Sequence, residues 1–502
     1  MTIYNINLGI GWASSGVEYA QAYRASLLRN INQPIKFVFL DMILADNIAH
    51  LTENIGFKDE EIIWLYTHFT DIKIAPTTYT LEQVLASVHG EPNRREKDGK
   101  IYRFFYDDEE KFITCYLRDE DSSYVEYVEY VSRGILIRKD YFSYTKYCTE
   151  YFVPKDNQAS LFQRRFYNED GSLAYDMLMD NGREIYRFSD RIIYGKQALT
   201  EYFMQSLNLS KSDLVILDRE TGIGQAVFKE SQRAHLGVVV HAEHFSENVT
   251  DDNYILWNNY YDYQFSNADK VDFFIVATDR QNEVLSEQFR KYTNHNPKIF
   301  TIPVGSLDKL IYPETNRNSF AMITASRLAA EKHIDWLVEG VIKAKELIPE
   351  LVFDIYGEGG ERAKITKILD EKRAHDYIKL KGHKDLTNIY SEYGIYLSAS
   401  TSEGFGLTLM EAIGSGLPII GFDVPYGNQT FVKDGENGYL IQKPSRQVID
   451  QIANEFAEKI VSVYQNHQLE QMQNVSYKTA EKFLTRQVEL AWSNLIEEVV
   501  ND

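Results

Sequence analysis

The chain has only two cysteines in 502 residues, Cys115 and Cys148. Two cysteines supply neither a disulfide framework nor a cysteine-built metal cluster, and they fit a reducing compartment. No apolar run reaches 18 residues, so no membrane-spanning helix is expected. The opening MTIYNINLGIGW has no basic start and no long apolar stretch, so a secretory leader is not expected. H-E-x-x-H is absent, and Gly9-x-Gly11…Gly16 does not satisfy G-x-G-x-x-G, so neither a zinc-protease helix nor a dinucleotide fingerprint is present. Basic residues are outnumbered, 53 Lys and Arg against 74 Asp and Glu, for a formal net charge of −21. That balance argues against nucleic acid and against a polyanion held by broad electrostatics, while a local basic groove stays open.

What is abundant is tyrosine, 35 residues. From about Thr77 to Tyr194 the chain reads as aromatic and β-branched runs such as KFITCYLRD and SYVEYVEYVSRGILIRKDYFSY. Turn signals separate them: Lys97-Asp98-Gly99, Asn168-Glu169-Asp170-Gly171 and Asp180-Asn181-Gly182. The pattern predicts an antiparallel β-meander. A tyrosine-lined face could bind proteins or sugars, or the sheet could be scaffold.

On both sides of this stretch an α/β rhythm predominates. TIYNINLGI reads as a strand, GWASSG as a small-residue loop and VEYAQAYRASLLRN as a helix; IKFVFLDM, DLVILDRE, LGVVVHAEHF, VDFFIVATD and IFTIPVG read as further strands. A second half opens with FAMITASRL, followed by helix 333–348, LVFDIYGEG, helix 361–374, YIKLKGH, helix 386–393, IYLSAS, LPIIGFD and GYLI. A final helix over 476–499 is expected to cross back toward the first half. The fold class is therefore α/β, two Rossmann-like doubly wound sheets facing a cleft, with the meander inserted in the first. The expected division is 1–76 with 195–310, then 77–194, 311–480 and 481–502.

The chemistry concentrates in Ser398–Pro418, SASTSEGFGLTLMEAIGSGLP. Glu403 falls on the loop after a strand, and Glu411 one turn inside the next helix. Gly404, Phe405 and Gly406 let a ligand approach the backbone, and the first-turn N–H groups offer an anion site. Two carboxylates beside an anion site suit a ligand with hydroxyls on both sides of a phosphate, such as a nucleotide-sugar. Arg327 and Lys332 follow another strand and suit a diphosphate. Gly357, His383 and Lys384 follow two more. His241, at the end of LGVVVHAEHF, suits a donor hydrogen bond or general acid/base role better than a metal, because no third ligand is nearby. Asp119-Glu120-Asp121 spells D-x-D but lies in the tyrosine-rich stretch and reads as a solvated turn.

SRLAAEKHIDWLV, FDIYGEGGE, LKGH and SEGFGLTLMEAIGSGLPII resemble the donor domain of retaining GT-B glycosyltransferases. GIGWASSGVEYAQAYR, DLVILDRETGIGQ, VVVHAEHFSEN, YILWNNYYDYQF and the tyrosine-rich insertion narrow this further. They resemble the catalytic subunits of two-subunit O-GlcNAc transferases acting on serine-rich repeat adhesins of streptococci and staphylococci. The resemblance spans nearly the whole chain. It implies UDP-GlcNAc as donor, no metal cofactor, transfer in the cytoplasm before export with peripheral membrane contact, and a homologous non-catalytic partner subunit. It places Arg327 and Lys332 on the donor pyrophosphate, Glu403 on the sugar hydroxyls and the Gly404–Gly406 backbone on sugar and phosphate. It places Glu411 on the ribose, His383 and Lys384 around the uracil, and His241 on the transferred sugar. Gly16, Val17, Glu18 and Tyr19 would close over the phosphates. Sugar transfer to a wall teichoic acid, and a non-catalytic binding or chaperone role, remain the alternatives.

Overall fold

A computed structural model describes residues 1–11, 16–106, 110–156, 158–444, 448–465 and 467–501. The chain forms two compact units. One comprises Met1–Ala25, Asn32–Val238 and Tyr263–Asp272; the other comprises Ser26–Ile31, Val239–Asp262 and Phe273–Asp502. No described helix is long and apolar enough to cross a membrane.

In the first unit, five parallel strands lie in the order His235–Val240, Leu214–Leu217, Ile3–Asn7, Ile35–Phe39, Ile62–Trp64. Most of their side chains are buried, as a sheet covered on both faces requires. The chain starts in the middle and winds outward both ways, so the order reverses between Ile3–Asn7 and Leu214–Leu217. The loop after Ile3–Asn7 includes residues 12–15 of the expected GWASSG loop, which lie outside the described residues.

The same unit carries a ten-stranded antiparallel meander from Arg94–Asp98 to Ile192–Tyr194, every strand beside its sequence neighbours. Its tight turns sit where the sequence put them: Asn181 and Gly182 take φ of 48° and 80° between the paired Asp180 and Arg183, the left-handed geometry a two-residue hairpin needs. Much of the tyrosine is interior. Tyr175 stacks between Phe166 and Phe188 at ring distances of 4.5 and 4.7 Å, and its hydroxyl donates to the Tyr66 carbonyl at 2.7 Å. Cys115 and Cys148 are buried and unpaired. The meander starts later than expected, because Leu81–Ser87 is a helix. Thr80 caps it by accepting from the Gln83 N–H, and Gln83 returns a bond to the Thr80 N–H, a capping box.

The second unit contains the parallel pair Phe273–Val276 and Lys298–Thr301. It also contains a six-stranded parallel sheet, ordered Ile378–Gly382, Val352–Tyr356, Ala321–Ala325, Ile395–Ser398, Ile419–Phe422, Gly438–Ile441. Here the order reverses between Ala321–Ala325 and Ile395–Ser398. Helices Ile334–Leu347 and Ile449–Gln465 pack on one face around Trp336, Leu337, Phe456 and Ile460. The expected helix over 386–393 is only a turn of 3-10 helix, Tyr390–Glu392. The expected helix over 476–499 is two, Leu469–Ala480 and Thr485–Asn501, broken where Leu484 turns extended and bridges Leu307. The last helix meets Lys298 through Glu498 at 3.5 Å and Asn30 through Glu489 at 2.7 Å.

Candidate functional site

Ligands of doubly wound sheets bind beyond the carboxyl ends of the strands, where the order reverses. In the six-stranded sheet that point lies between the loops after Ala321–Ala325 and Ile395–Ser398, which carry Arg327 and Glu403. Tyr396 ties the two strands together beneath it. Its buried hydroxyl donates to the Ala325 carbonyl at 2.9 Å and lies 3.0 Å from the Thr408 hydroxyl.

Lys332 ends the short 3-10 helix Ala330–Lys332, and its Nζ lies 2.7 Å from Glu403 Oε2. Both side chains are about one-fifth exposed, 18% and 19%. Arg327 stands further out, 79% exposed, with Glu331 at 3.3 Å. The structure thus brings two cations, each beside a carboxylate, to the reversal point. Glu403 is held from behind, where its carbonyl accepts the N–H groups of Tyr426 and Gly427, each at 2.8 Å. Gly404 is pressed against the His241 carbonyl, which a Cβ there would approach to 2.7 Å. Any larger residue would separate the Glu403 loop from His241. His241 directly follows the strand His235–Val240, which stops five residues short of the end of the expected strand LGVVVHAEHF, 236–245. The N–H groups of His241 and Ala242 both donate to the Tyr261 hydroxyl at 3.0 Å, turning the chain away from the sheet.

Gly406 caps helix Leu407–Gly414, and its carbonyl accepts the Leu409 and Met410 N–H groups at 3.0 and 3.1 Å, so the N–H groups of Leu407 and Thr408 lead the helix start. The Phe405 ring is buried against Phe431 at 5.1 Å, so this residue presents its backbone. Glu411 lies within that helix and accepts the Tyr390 hydroxyl at 3.1 Å. Burial pushes its carboxyl up to about 7; the Tyr390 hydroxyl opposes the shift and the Asp385 carboxylate adds to it. Gly357 takes φ of 127°, and a Cβ would fall 1.9 Å from the Ser326 carbonyl, so only glycine lets these two strand-end loops touch. His383 and Lys384 are exposed just past Ile378–Gly382.

Gly16, Val17, Glu18 and Tyr19 open the helix Gly16–Asn30 and belong to the first unit. Glu18 is buried, 3.2 Å from Arg219, and Tyr19 is exposed. His244, three residues past His241, is a core group: Gln288 Oε1 lies 2.8 Å from its Nε2 and the Tyr426 hydroxyl 3.2 Å from its Nδ1. Burial lowers its imidazole to about 4. Asp119, Glu120 and Asp121 are exposed on a turn.

Sequence reasoning missed three supports of this site: Tyr390, Tyr396 and the Tyr426-Gly427 turn. Tyrosine was conspicuous only by number, and its weight fell on the meander. A tyrosine inside the buried strand IYLSAS was the available signal, since a buried hydroxyl needs a partner.

Ser402, beside Glu403, also borders a cavity of about 640 Å³. Its lining mixes Arg280, Lys291 and Lys443 with Glu243, Glu247, Glu287 and Asp423.

Two families match the chain: the GtfA extended beta-sheet domain over residues 94–190 and the glycosyl transferases group 1 over residues 313–481. The chain is 65% identical, over the full length of both, to the UDP-N-acetylglucosamine–peptide N-acetylglucosaminyltransferase GtfA subunit of Streptococcus pneumoniae. It is similar to the crystal structure of the pneumococcal O-GlcNAc transferase GtfA in complex with UDP and GlcNAc, with a TM-score of 0.93 and 65% identity, covering 100% of this chain and 99% of that one. It is also similar to a chain in the crystal structure of a GtfA/B complex, with a TM-score of 0.97, 64% identity and complete coverage of both chains.

Proposed function

The chain belongs to the family of GtfA subunits of UDP-N-acetylglucosamine–peptide N-acetylglucosaminyltransferases, and from that premise we propose that it transfers N-acetylglucosamine from UDP-GlcNAc to serine and threonine hydroxyls of a serine-rich repeat adhesin, with retention at the anomeric carbon. The observation that carries this reading is the Lys332–Glu403 pair at the reversal point, each side chain about one-fifth exposed. An arriving donor exchanges that pair for two better contacts. Pyrophosphate takes Lys332 and Arg327, and sugar hydroxyls take Glu403.

The remaining roles are those that the family resemblance implies. The Gly404–Gly406 backbone and the first turn of Leu407–Gly414 meet sugar and phosphate, and Gly357 leaves room for their approach. Glu411 accepts the ribose hydroxyls, His383 and Lys384 frame the uracil, and His241 meets the transferred sugar. As the anomeric C–O bond breaks, negative charge grows on the departing UDP. Lys332, Arg327 and the helix N-terminus stabilise that charge without a metal. Attack of the acceptor hydroxyl from the same face keeps the anomeric configuration and requires no enzyme nucleophile.

The chain works with a GtfB partner, and we place the reaction in the cytoplasm, at the inner face of the membrane, before export. A polyol-phosphate acceptor is the second reading. The mixed-charge cavity beside Ser402 favours a neutral polar chain over a polyanion, and so favours the polypeptide.

The deciding experiment is the intact mass of a serine-rich repeat polypeptide after incubation with UDP-GlcNAc, with and without GtfB. Increments of one N-acetylhexosamine are expected, and Glu403→Gln should lose them. UDP release with an unmodified polypeptide would shift the acceptor to polyol phosphates. No UDP release in any tube would leave a binding subunit.

A further inference from the structure

Asp46, His50 and Glu126 converge where the helix Ile48–Glu53 meets the strand Val125–Ser132 of the meander, all within the first unit. One donor atom from each lies within 4.8 Å of the other two. His50 Nδ1 is 3.3 Å from Asp46 Oδ1, which also accepts the Asn47 N–H at 2.6 Å. The Asp46 side chain is 6% exposed and Glu126 9%. Two carboxyl groups therefore face each other largely out of water, with an imidazole beside them. Such a pair needs either a shared proton or a cation. Lys100 and Arg118 are the cationic groups that act on Glu126 from nearby.

We propose that Asp46, His50 and Glu126 bind one zinc ion, which staples the meander to the parallel sheet of the same unit. One nitrogen and two oxygen donors match zinc, with water completing the tetrahedron. Calcium takes six or more oxygen ligands, and magnesium keeps an octahedral shell of oxygens, so neither suits this set. Donors around a tetrahedral zinc stand roughly 3.4 Å apart. His50 and Asp46 already hold that spacing, and no separation need close by more than about 1.4 Å. The ion neutralises both carboxylates and joins His50 on the helix, and Asp46 just before its N-cap, to a strand position 76 residues beyond His50. Its role is structural, so it is independent of the metal-free sugar transfer proposed above.

The test uses the full-length, tag-free chain, stripped with chelator and desalted. Zinc chloride is titrated in by calorimetry, and melting is followed with and without zinc. One zinc per chain is expected, with a melting temperature several degrees above the stripped protein. Magnesium and calcium should produce neither effect. His50→Gln and Glu126→Gln should each weaken zinc binding at least tenfold and abolish the thermal gain. Chelation should lower the melting temperature while sugar transfer persists at 25 °C. Absence of stoichiometric zinc binding, or binding retained in either variant, would overturn the site and leave the two carboxyl groups sharing a proton.

Discussion

At the reversal point of the first parallel sheet, Arg24 donates to both oxygens of Asp218 at 2.8 Å and to Asn5 at 2.8 Å. Gln21 adds a bond to Asp218 at 2.8 Å and accepts one from Asn7 at 3.1 Å. Arg24 is 4% exposed and Asp218 3%. At the reversal point of the six-stranded sheet the corresponding charges, Lys332 and Glu403, meet through one contact and are each about one-fifth exposed. The topology is the same and the polar chemistry is opposite. A network so thoroughly paired and so dry has nothing to offer a ligand, and it holds the helix Gly16–Asn30 on its sheet. A single, partly wet pair is cheap to exchange for phosphate and sugar hydroxyls. The location of a polar cluster in a doubly wound fold does not identify a binding site; its saturation does.

The contrast breaks most visibly under truncation. Arg24→Ala leaves Asp218 buried and charged, and it should cost about 3–5 kcal/mol of stability, read as a lowered midpoint in urea unfolding. The double variant Arg24→Leu with Asp218→Leu should recover most of that loss, because no unpaired charge remains. If Arg24→Ala unfolds like the parent, the network is not the scaffold described. Lys332→Ala should do the reverse. Its kcat for UDP release should fall by about 10²–10³, the usual loss on removing a group that stabilises transition-state charge. Its melting temperature should stay close to that of the parent, and a large thermal loss would place Lys332 with Arg24 rather than opposite it.

This opposition was only partly readable in the sequence. The alternation of strands and helices yields both doubly wound sheets, and glycines after the strands mark the loops bearing Gly357 and Glu403, while the loop bearing Arg327 and Lys332 has no glycine and is marked only by its place after the strand FAMITASRL. Apolar runs and glycines are local signals, and they survive folding. Pairing is not local. Asp218 finds Arg24 across 194 positions, and no spacing announces it. Tyr390 was unreadable for another reason, because its segment offers helical apolar spacing but folds as one turn after Asp385 has bonded the Thr387 N–H at 3.0 Å. The helix Leu81–Ser87 was readable from Thr80-x-x-Gln83, but β-prone neighbours outweighed that signal. The expected strand through His241 stops at Val240 because the Tyr261 hydroxyl, 20 residues on, takes the backbone N–H that a strand would have paired.

Glu411 and His244 sharpen the comparison with smaller effects, because they belong to the same unit and respond to pH in opposite directions. Glu411 is held near 7, above its ordinary 4.5, so the folded chain binds the proton more tightly than the unfolded chain. The stability this confers is present below pH 4.5 and is lost as pH rises to about 7, a change of about 1–3 kcal/mol. Glu411→Gln should remove that loss and raise stability at pH 8. His244 is held near 4, below its ordinary 6.5, so its contribution is complete above pH 6.5 and is lost as pH falls toward 4. The ligand tells the two groups apart. If Glu411 accepts the ribose hydroxyls as a carboxylate, UDP binding must displace its proton. UDP affinity should then rise by up to about tenfold per pH unit below 7 and level off above it. Glu411→Gln should flatten that profile, whereas His244→Gln should leave it intact and alter only the acid side of the stability curve. Calorimetric UDP titrations from pH 5.5 to 8.5 on the three proteins decide this. A profile unchanged in Glu411→Gln would make Glu411 a buried packing group like His244.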